Sequence, residues 1–187
     1  NMSDYDMNSV IAYLQSEAPQ VQPEAVETPD SKPSFLVKML SQFAFLPLPY
    51  DGQPVEKPAI EDKLAYGEYV VHGMVACYEC HSADFKTNNQ LNPEQSVVYL
   101  GGGNRLLDYE GQVIPAPNLT MHPTGLGDWT EEQFIRAVKY GEHPDGPPIR
   151  YPMLKLSQLK DEEVRAVWAY LQTVPKIDNE VPRPFYE

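Results

Sequence analysis

Cysteine is scarce in this chain. The 187 residues contain only Cys77 and Cys80, so there is no second cysteine pair for a thiolate zinc site and no set of thiols for a disulfide framework. Long apolar runs are also missing. No stretch reaches the ~18 consecutive apolar residues that a membrane-spanning helix needs, and the first residues lack the basic-then-apolar order of an export signal. Positive charge is in short supply: 14 Lys and Arg face 27 Asp and Glu, for a formal net charge of -13. That balance excludes nucleic acid as a natural partner, since phosphates would be repelled, and favours encounter with a basic protein surface. Proline is in excess instead. Nineteen prolines, about twice the usual share, imply ordered loops and extended segments around a modest core. A mass of 21.2 kDa accommodates one ordinary domain with extensions, or two small ones.

Both cysteines fall in Cys77-Tyr78-Glu79-Cys80-His81, the spacing of covalent c-type haem attachment. Two thiols separated by two residues can each form a thioether to one haem vinyl group, and the histidine that follows is placed to put its imidazole on the iron. The alternatives are a redox dithiol, which belongs at the end of a strand in a βαβ context, or a metal site, which wants further ligands at suitable spacing. Covalent haem implies an extracytoplasmic, periplasmic protein, so the missing export signal points to a processed or truncated chain.

Before residue 60 the chain divides into dissimilar pieces. Ser3 to Gln15 reads as a helix, with Ser3 as N-cap, Asp4 and Asp6 in the first turn, and Met7, Val10, Ile11 and Leu14 on one face. The string Val10-Ile-Ala-Tyr-Leu-Gln15 recurs as Val167-Trp-Ala-Tyr-Leu-Gln172, and both copies run on into a proline. Residues 1–16 are therefore expected to be either the closing helix of a preceding similar domain or a simple N-terminal helix. Residues 17–59 read as a proline-rich linker carrying a short apolar helix from Phe35 to Leu46, capped by Ser34 or Ser31. That helix needs a surface to lie on, and protein is favoured over membrane because its flanks are not basic.

Residues 60–178 form the expected haem domain, followed by a tail at 179–187. A helix from Ile60 to Ala76 delivers the attachment motif, and Gly67 inside it suggests close approach by the closing helix, Asp161 to Val174. Between them come irregular chain with Gly101-Gly-Gly103, a small hairpin around Tyr109 to Gln112, and an irregular Ile114–Thr120 stretch. A capping box at Thr130 and Gln133 opens a helix ending at Gly141. The proline-stiffened loop from His143 to Met153 suits a sixth iron ligand, since a soft thioether favours the ferrous state and a rigid loop limits rearrangement. Met153 is the choice; Met121, His122 and His143 are the alternatives, while Met74 and His72 lie too close to the tether. Trp129, Trp168, Phe134 and Tyr151 are candidates for haem contact.

The chain resembles the class I cytochrome c family, through the helix leading into Cys77-Tyr-Glu-Cys80-His81, the Pro152-Met153 loop and a closing helix with Trp168 and Tyr170. Ala116-Pro117-Asn118-Leu119-Thr120, Thr124-Gly-Leu-Gly127, Asp128-Trp129-Thr130 and Gly141-Glu-His-Pro-Asp-Gly146 are similar to haem domains of multi-haem cytochrome subunits of bacterial membrane dehydrogenases. The resemblance implies an all-α class I fold, one covalent haem c with iron held by His81 and Met153, and Asn118 and Leu119 among the haem contacts. It implies one-electron transfer without catalysis of its own and without a small-molecule substrate. The expected partners are redox proteins with a basic docking surface, a preceding cytochrome domain, or membrane dehydrogenase subunits, with membrane association through segments or partners outside this chain. Two departures stand out: Lys155 to Lys160 is a longer approach to the closing helix than is usual, and residues before 60 have no counterpart in a small cytochrome. The competing functions are a haem-based gas sensor, a peroxidatic enzyme or a structural haem module.

Overall fold

Asp62 begins the helical part of the larger unit by accepting a hydrogen bond from the Ala65 amide, which satisfies one of the donors a helix start leaves open. The computed structural model describes residues 2–23, 29–43, 48–49 and 52–182. Its chain separates into two units, Ser3–Glu56 and a larger one comprising Lys57–Glu187 with the first two residues.

In the smaller unit, α1 spans Asp4–Leu14 with Ser3 as the expected N-cap, its hydroxyl accepting from the Asp6 amide. The anticipated apolar face does not become a core: Met7, Val10, Ile11 and Leu14 are all exposed. Helix α2 spans Phe35–Phe43, with the Val37 amide donating to Ser34. Its Phe35 and Phe43 are also exposed. Phe45, Leu46 and parts of the proline-rich turns on either side lie outside the described residues.

In the larger unit, the single helix expected from Ile60 to Ala76 is broken into parts. Helix α3 covers Lys63–Tyr69, a π-helical turn covers Val70–Met74, and Ala76 takes a left-handed conformation (φ 55°) before the one-turn α4, Cys77–Cys80. The Val75 amide bonds back to the Val70 carbonyl. The extra residue in that turn rotates everything after it by about 100° relative to a regular helix, which re-aims the attachment motif. Helix α5 spans Glu131–Tyr140 and α6 spans Asp161–Leu171. The closing helix is thus shorter than expected, finishing in a tight turn in which the Thr173 amide donates to the Tyr170 carbonyl.

Helix α6 packs against both α3 and α5. Gly67 allows the first contact: a Cβ there would lie 2.7 Å from Tyr170 Cβ and closer still to the Ala166 carbonyl oxygen. Phe134 of α5 meets Trp168 of α6 with ring centroids 5.2 Å apart, and Arg165–Glu131 and Lys139–Asp161 ion pairs join the same helices. Val70, Val71, Val164 and Leu171 are almost completely buried between them.

Two short strands complete the unit: β1, Arg105–Leu107, pairs antiparallel with β2, Val113–Pro115. The architecture is therefore helical with a small sheet rather than purely α. The hairpin lies where Tyr109 to Gln112 was expected to turn, with Gly111 at φ 78°. However, part of the supposedly irregular 114–120 stretch is strand. Pro115 is tolerated there because in a two-stranded sheet β2 is an edge strand, which can do without one amide donor.

Candidate cofactor site

The one-turn helix α4 puts Cys77 and Cys80 on one side of the chain and passes directly into His81, whose amide donates to the Cys77 carbonyl over 3.0 Å. His81 is buried, and its Nδ1 lies 2.9 Å from the Pro117 carbonyl oxygen. A carbonyl can only accept, so Nδ1 carries the proton. That fixes the tautomer and leaves Nε2 with a free lone pair for a metal. Burial holds His81 below its ordinary pKa and so keeps the ring neutral, as a ligand must be.

Burial also pushes the Cys77 thiol up to about 12 and raises Cys80. A redox dithiol needs the opposite shift, because the thiolate is the attacking species. Among the described residues no group of three or more His, Cys, Asp or Glu is placed to hold a metal ion. The thiols and the histidine face a largely apolar cavity of about 280 Å³.

Cys77, Cys80, His81, Asn118, Leu119, Trp129, Phe134 and Met153 all line this cavity. Met153 arrives on the loop after α5. That loop is tied to the helix by the Ile149 amide on the Gly141 carbonyl (2.7 Å) and the Leu156 amide on the Val138 carbonyl (2.9 Å). Gly141 ends α5 in the left-handed conformation (φ 74°), which turns the chain back along the helix. Tyr151 is not part of the lining. Its ring stacks on Tyr109 of the hairpin, with centroids 3.9 Å apart.

The alternative ligands separate in space. Met121 packs against the core without lining the cavity, His122 bonds to Thr124, and His72 is joined to Tyr99 at 2.5 Å. His143 does line the cavity, edge-on to Trp129 with centroids 5.1 Å apart. Trp168 serves the helix packing instead.

Two roles at the site were not legible in the sequence. One is the Pro117 carbonyl, a backbone group. The other is the role of Asn118, buried as a hub: its Oδ1 accepts from the Thr120 amide and hydroxyl, and its Nδ2 donates to Thr124 and to the Ile177 carbonyl. Val70, Val71, Val167 and Leu171 complete the wall from the helices.

An apolar slot with two thiols, a neutral histidine of fixed tautomer and a thioether at its wall fits a flat, tethered, iron-bearing group. This is the arrangement of a covalent haem protein. The family model for cytochrome c matches residues 66–175, and the chain belongs to the cytochrome c family. Membership brings with it a covalent c-type haem with iron and a role in electron transfer.

The chain is similar to the fructose dehydrogenase cytochrome subunit of Gluconobacter japonicus, 27% identical over 93% of this chain and 35% of that protein. It is similar to the cytochrome c subunit of the quinone alcohol dehydrogenase of Gluconobacter oxydans, 25% identical over 94% of this chain and 37% of the relative. A diheme cytochrome c-type protein of Cereibacter sphaeroides is 34% identical over 60% of this chain and 36% of its own length. The chain thus spans little more than a third of these relatives.

Proposed function

We propose that this chain carries single electrons through one covalently attached haem, with His81 and Met153 as axial ligands, as a module of a dehydrogenase electron relay outside the cytoplasm. The observation carrying this reading is the convergence of Cys77, Cys80, His81 and Met153 on one apolar cavity. The haem supplies a one-electron couple between iron(II) and iron(III) when bound. Cys77 and Cys80 would hold it by thioethers, and His81 presents Nε2 because Pro117 holds the other ring nitrogen. Val70, Val71, Phe134 and Leu171 keep water from the slot, which limits solvent reorganisation when charge changes.

The relay setting draws on the printed identities of the dehydrogenase subunits to which the chain is similar. A preceding domain draws on α1: its Val10, Ile11, Tyr13 and Leu14 are exposed, while the matching Val167, Trp168, Tyr170 and Leu171 of α6 are buried. No helix among the described residues is long and apolar enough to cross a membrane. Membrane association, through segments outside this chain or through partners, draws on the dehydrogenase subunits to which the chain is similar.

A second reading has His143 on the distal side in place of Met153, as a gas-sensing or peroxidatic site would have, and it rests on His143 lining the same cavity. Ferric spectra and carbon monoxide binding separate the two. The His/Met reading predicts a thioether-to-iron charge-transfer band that is lost in Met153→Ala and kept in His143→Ala and Met121→Ala, with poor carbon monoxide binding before substitution. A band that survives Met153→Ala would sink it.

A further inference from the structure

Beyond α6 the chain continues as a strap that crosses the two loops beside His81. The Ile177 amide donates to the Thr120 hydroxyl over 3.1 Å, and the Ile177 carbonyl accepts from Asn118 Nδ2 over 2.8 Å. Two residues on, the Asn179 amide donates to the Thr124 hydroxyl over 3.1 Å, while Asn179 Nδ2 donates to the carbonyls of Gly101 (2.9 Å) and Gly102 (3.4 Å). Asn179 therefore joins both loops through one residue, by backbone on one side and side chain on the other.

Each loop in turn holds His81. The Gly102 amide donates to the His81 carbonyl over 2.8 Å, and Pro117, next to Asn118, accepts from His81 Nδ1 over 2.9 Å. The loops lie so close that a Cβ on Gly102 would come within 2.6 Å of the Ala116 carbonyl oxygen and the Asn118 nitrogen. In so tight a stack the Pro117 carbonyl cannot turn away from His81 unless one loop lifts; the Gly103 amide on the Ala116 carbonyl (2.9 Å) and the Leu119 amide on the Leu100 carbonyl (2.8 Å) join the loops directly, and the strap adds a second tie across them at Asn179. Ile177 and Asn179 lie beyond the family match, which ends at residue 175.

We propose that Asn179 is a positioning residue for the axial histidine: by clamping Gly101–Gly102 to the Asn118–Thr124 loop it holds the Pro117 carbonyl against His81 Nδ1 and so tunes the donor strength of Nε2. The inference rests on the reading of His81 as iron ligand. A hydrogen bond from Nδ1 makes the imidazole a stronger donor, and a stronger donor stabilises the ferric state. Loosening the strap weakens that bond and raises the midpoint potential. Met153, on another loop, is untouched.

The test uses the haem-loaded chain and its Asn179→Ala and Asn179→Asp variants, the second removing the amide donor at nearly constant shape. Solvent exchange of the His81 ring N–H is followed by NMR in the ferrous state, together with the midpoint potential and the ferric thioether band. The expected result is ring N–H exchange at least tenfold faster in both variants and a raised potential in Asn179→Ala, with the thioether band unchanged; the carboxylate of Asn179→Asp opposes the rise, so that variant is read by exchange alone. Asp178→Ala, which removes an exposed carboxylate from the same strap, leaves the ring N–H exchange and the thioether band as they were. Exchange and potential equal to the unsubstituted chain would overturn the proposal. So would failure of both variants to take up haem, since the strap would then build the site rather than tune it. If His81 is not the iron ligand, its ring protons in the unsubstituted ferrous chain lack the large ring-current shift of a haem-bound imidazole, an outcome seen before either variant is compared and distinct from unchanged exchange.

Discussion

Gly67 shows how much one missing side chain decides. A glycine inside a helix costs about 1 kcal/mol against alanine, so its presence pointed to a close neighbour, and the neighbour is the Ala166–Tyr170 face of α6. Gly67→Ala is expected to destabilise the larger unit by about 3 kcal/mol, because the methyl meets backbone that cannot yield. The denaturant midpoint should fall at unchanged slope. His72 gives a second prediction. It is enclosed by Tyr78, Tyr99 and Tyr170, with Glu68 and Glu94 the nearby acids, and burial lowers its pKa from the ordinary 6.5. A histidine depressed in the folded state binds its proton more readily when unfolded, so its stabilising contribution is present above 6.5 and is lost as pH falls through the folded value. Glu68, raised by burial, has the opposite sign: its contribution is lost as pH rises above the ordinary carboxyl value of 4.5. The difference in stability between the parent and His72→Gln should therefore shrink as pH is lowered below 6.5; a constant difference would refute the assignment. At this scale Cys77, Cys80 and His81 were legible because their spacing is itself the chemistry. The Pro117 carbonyl was not, because a backbone acceptor leaves no mark on residue identity.

Among the elements, α5 was the most readable. Its start carries both halves of a capping box, the Thr130 amide on Gln133 Oε1 (2.8 Å) and the Gln133 amide on Thr130 Oγ1 (3.3 Å). Thr130→Ala should cost about 1 kcal/mol, seen as a lower thermal midpoint, whereas Thr130→Ser should retain most of the stability. The π-helical turn at Val70–Met74 was unreadable by contrast. Periodicity over Ile60–Ala76 reports apolar spacing, and one inserted residue leaves that spacing nearly intact while changing where the chain points afterwards. Strand β2 was hidden for a related reason: prolines at 115 and 117 argue against regular structure, yet only the last strand position uses one. Tyr151, a candidate for haem contact, stacks on Tyr109, a partner from a hairpin distant in sequence that residue identity alone does not announce.

For the whole molecule, charge is the dominant property. A net charge of -13 should steer a basic redox partner toward the surface, so bimolecular electron transfer to such a protein is expected to slow as ionic strength rises. Stopped-flow rates that stay flat with added salt would remove charge steering from the account. The central claim is an electron-transfer haem with Met153 on its distal side, and the most direct measurement is an optical redox titration of the haem-loaded chain. The account predicts one reversible one-electron transition, a thioether charge-transfer band confined to the ferric form, and no change on adding carbon monoxide to the reduced protein. A ferric form without that band and a reduced form that binds carbon monoxide at once would contradict it.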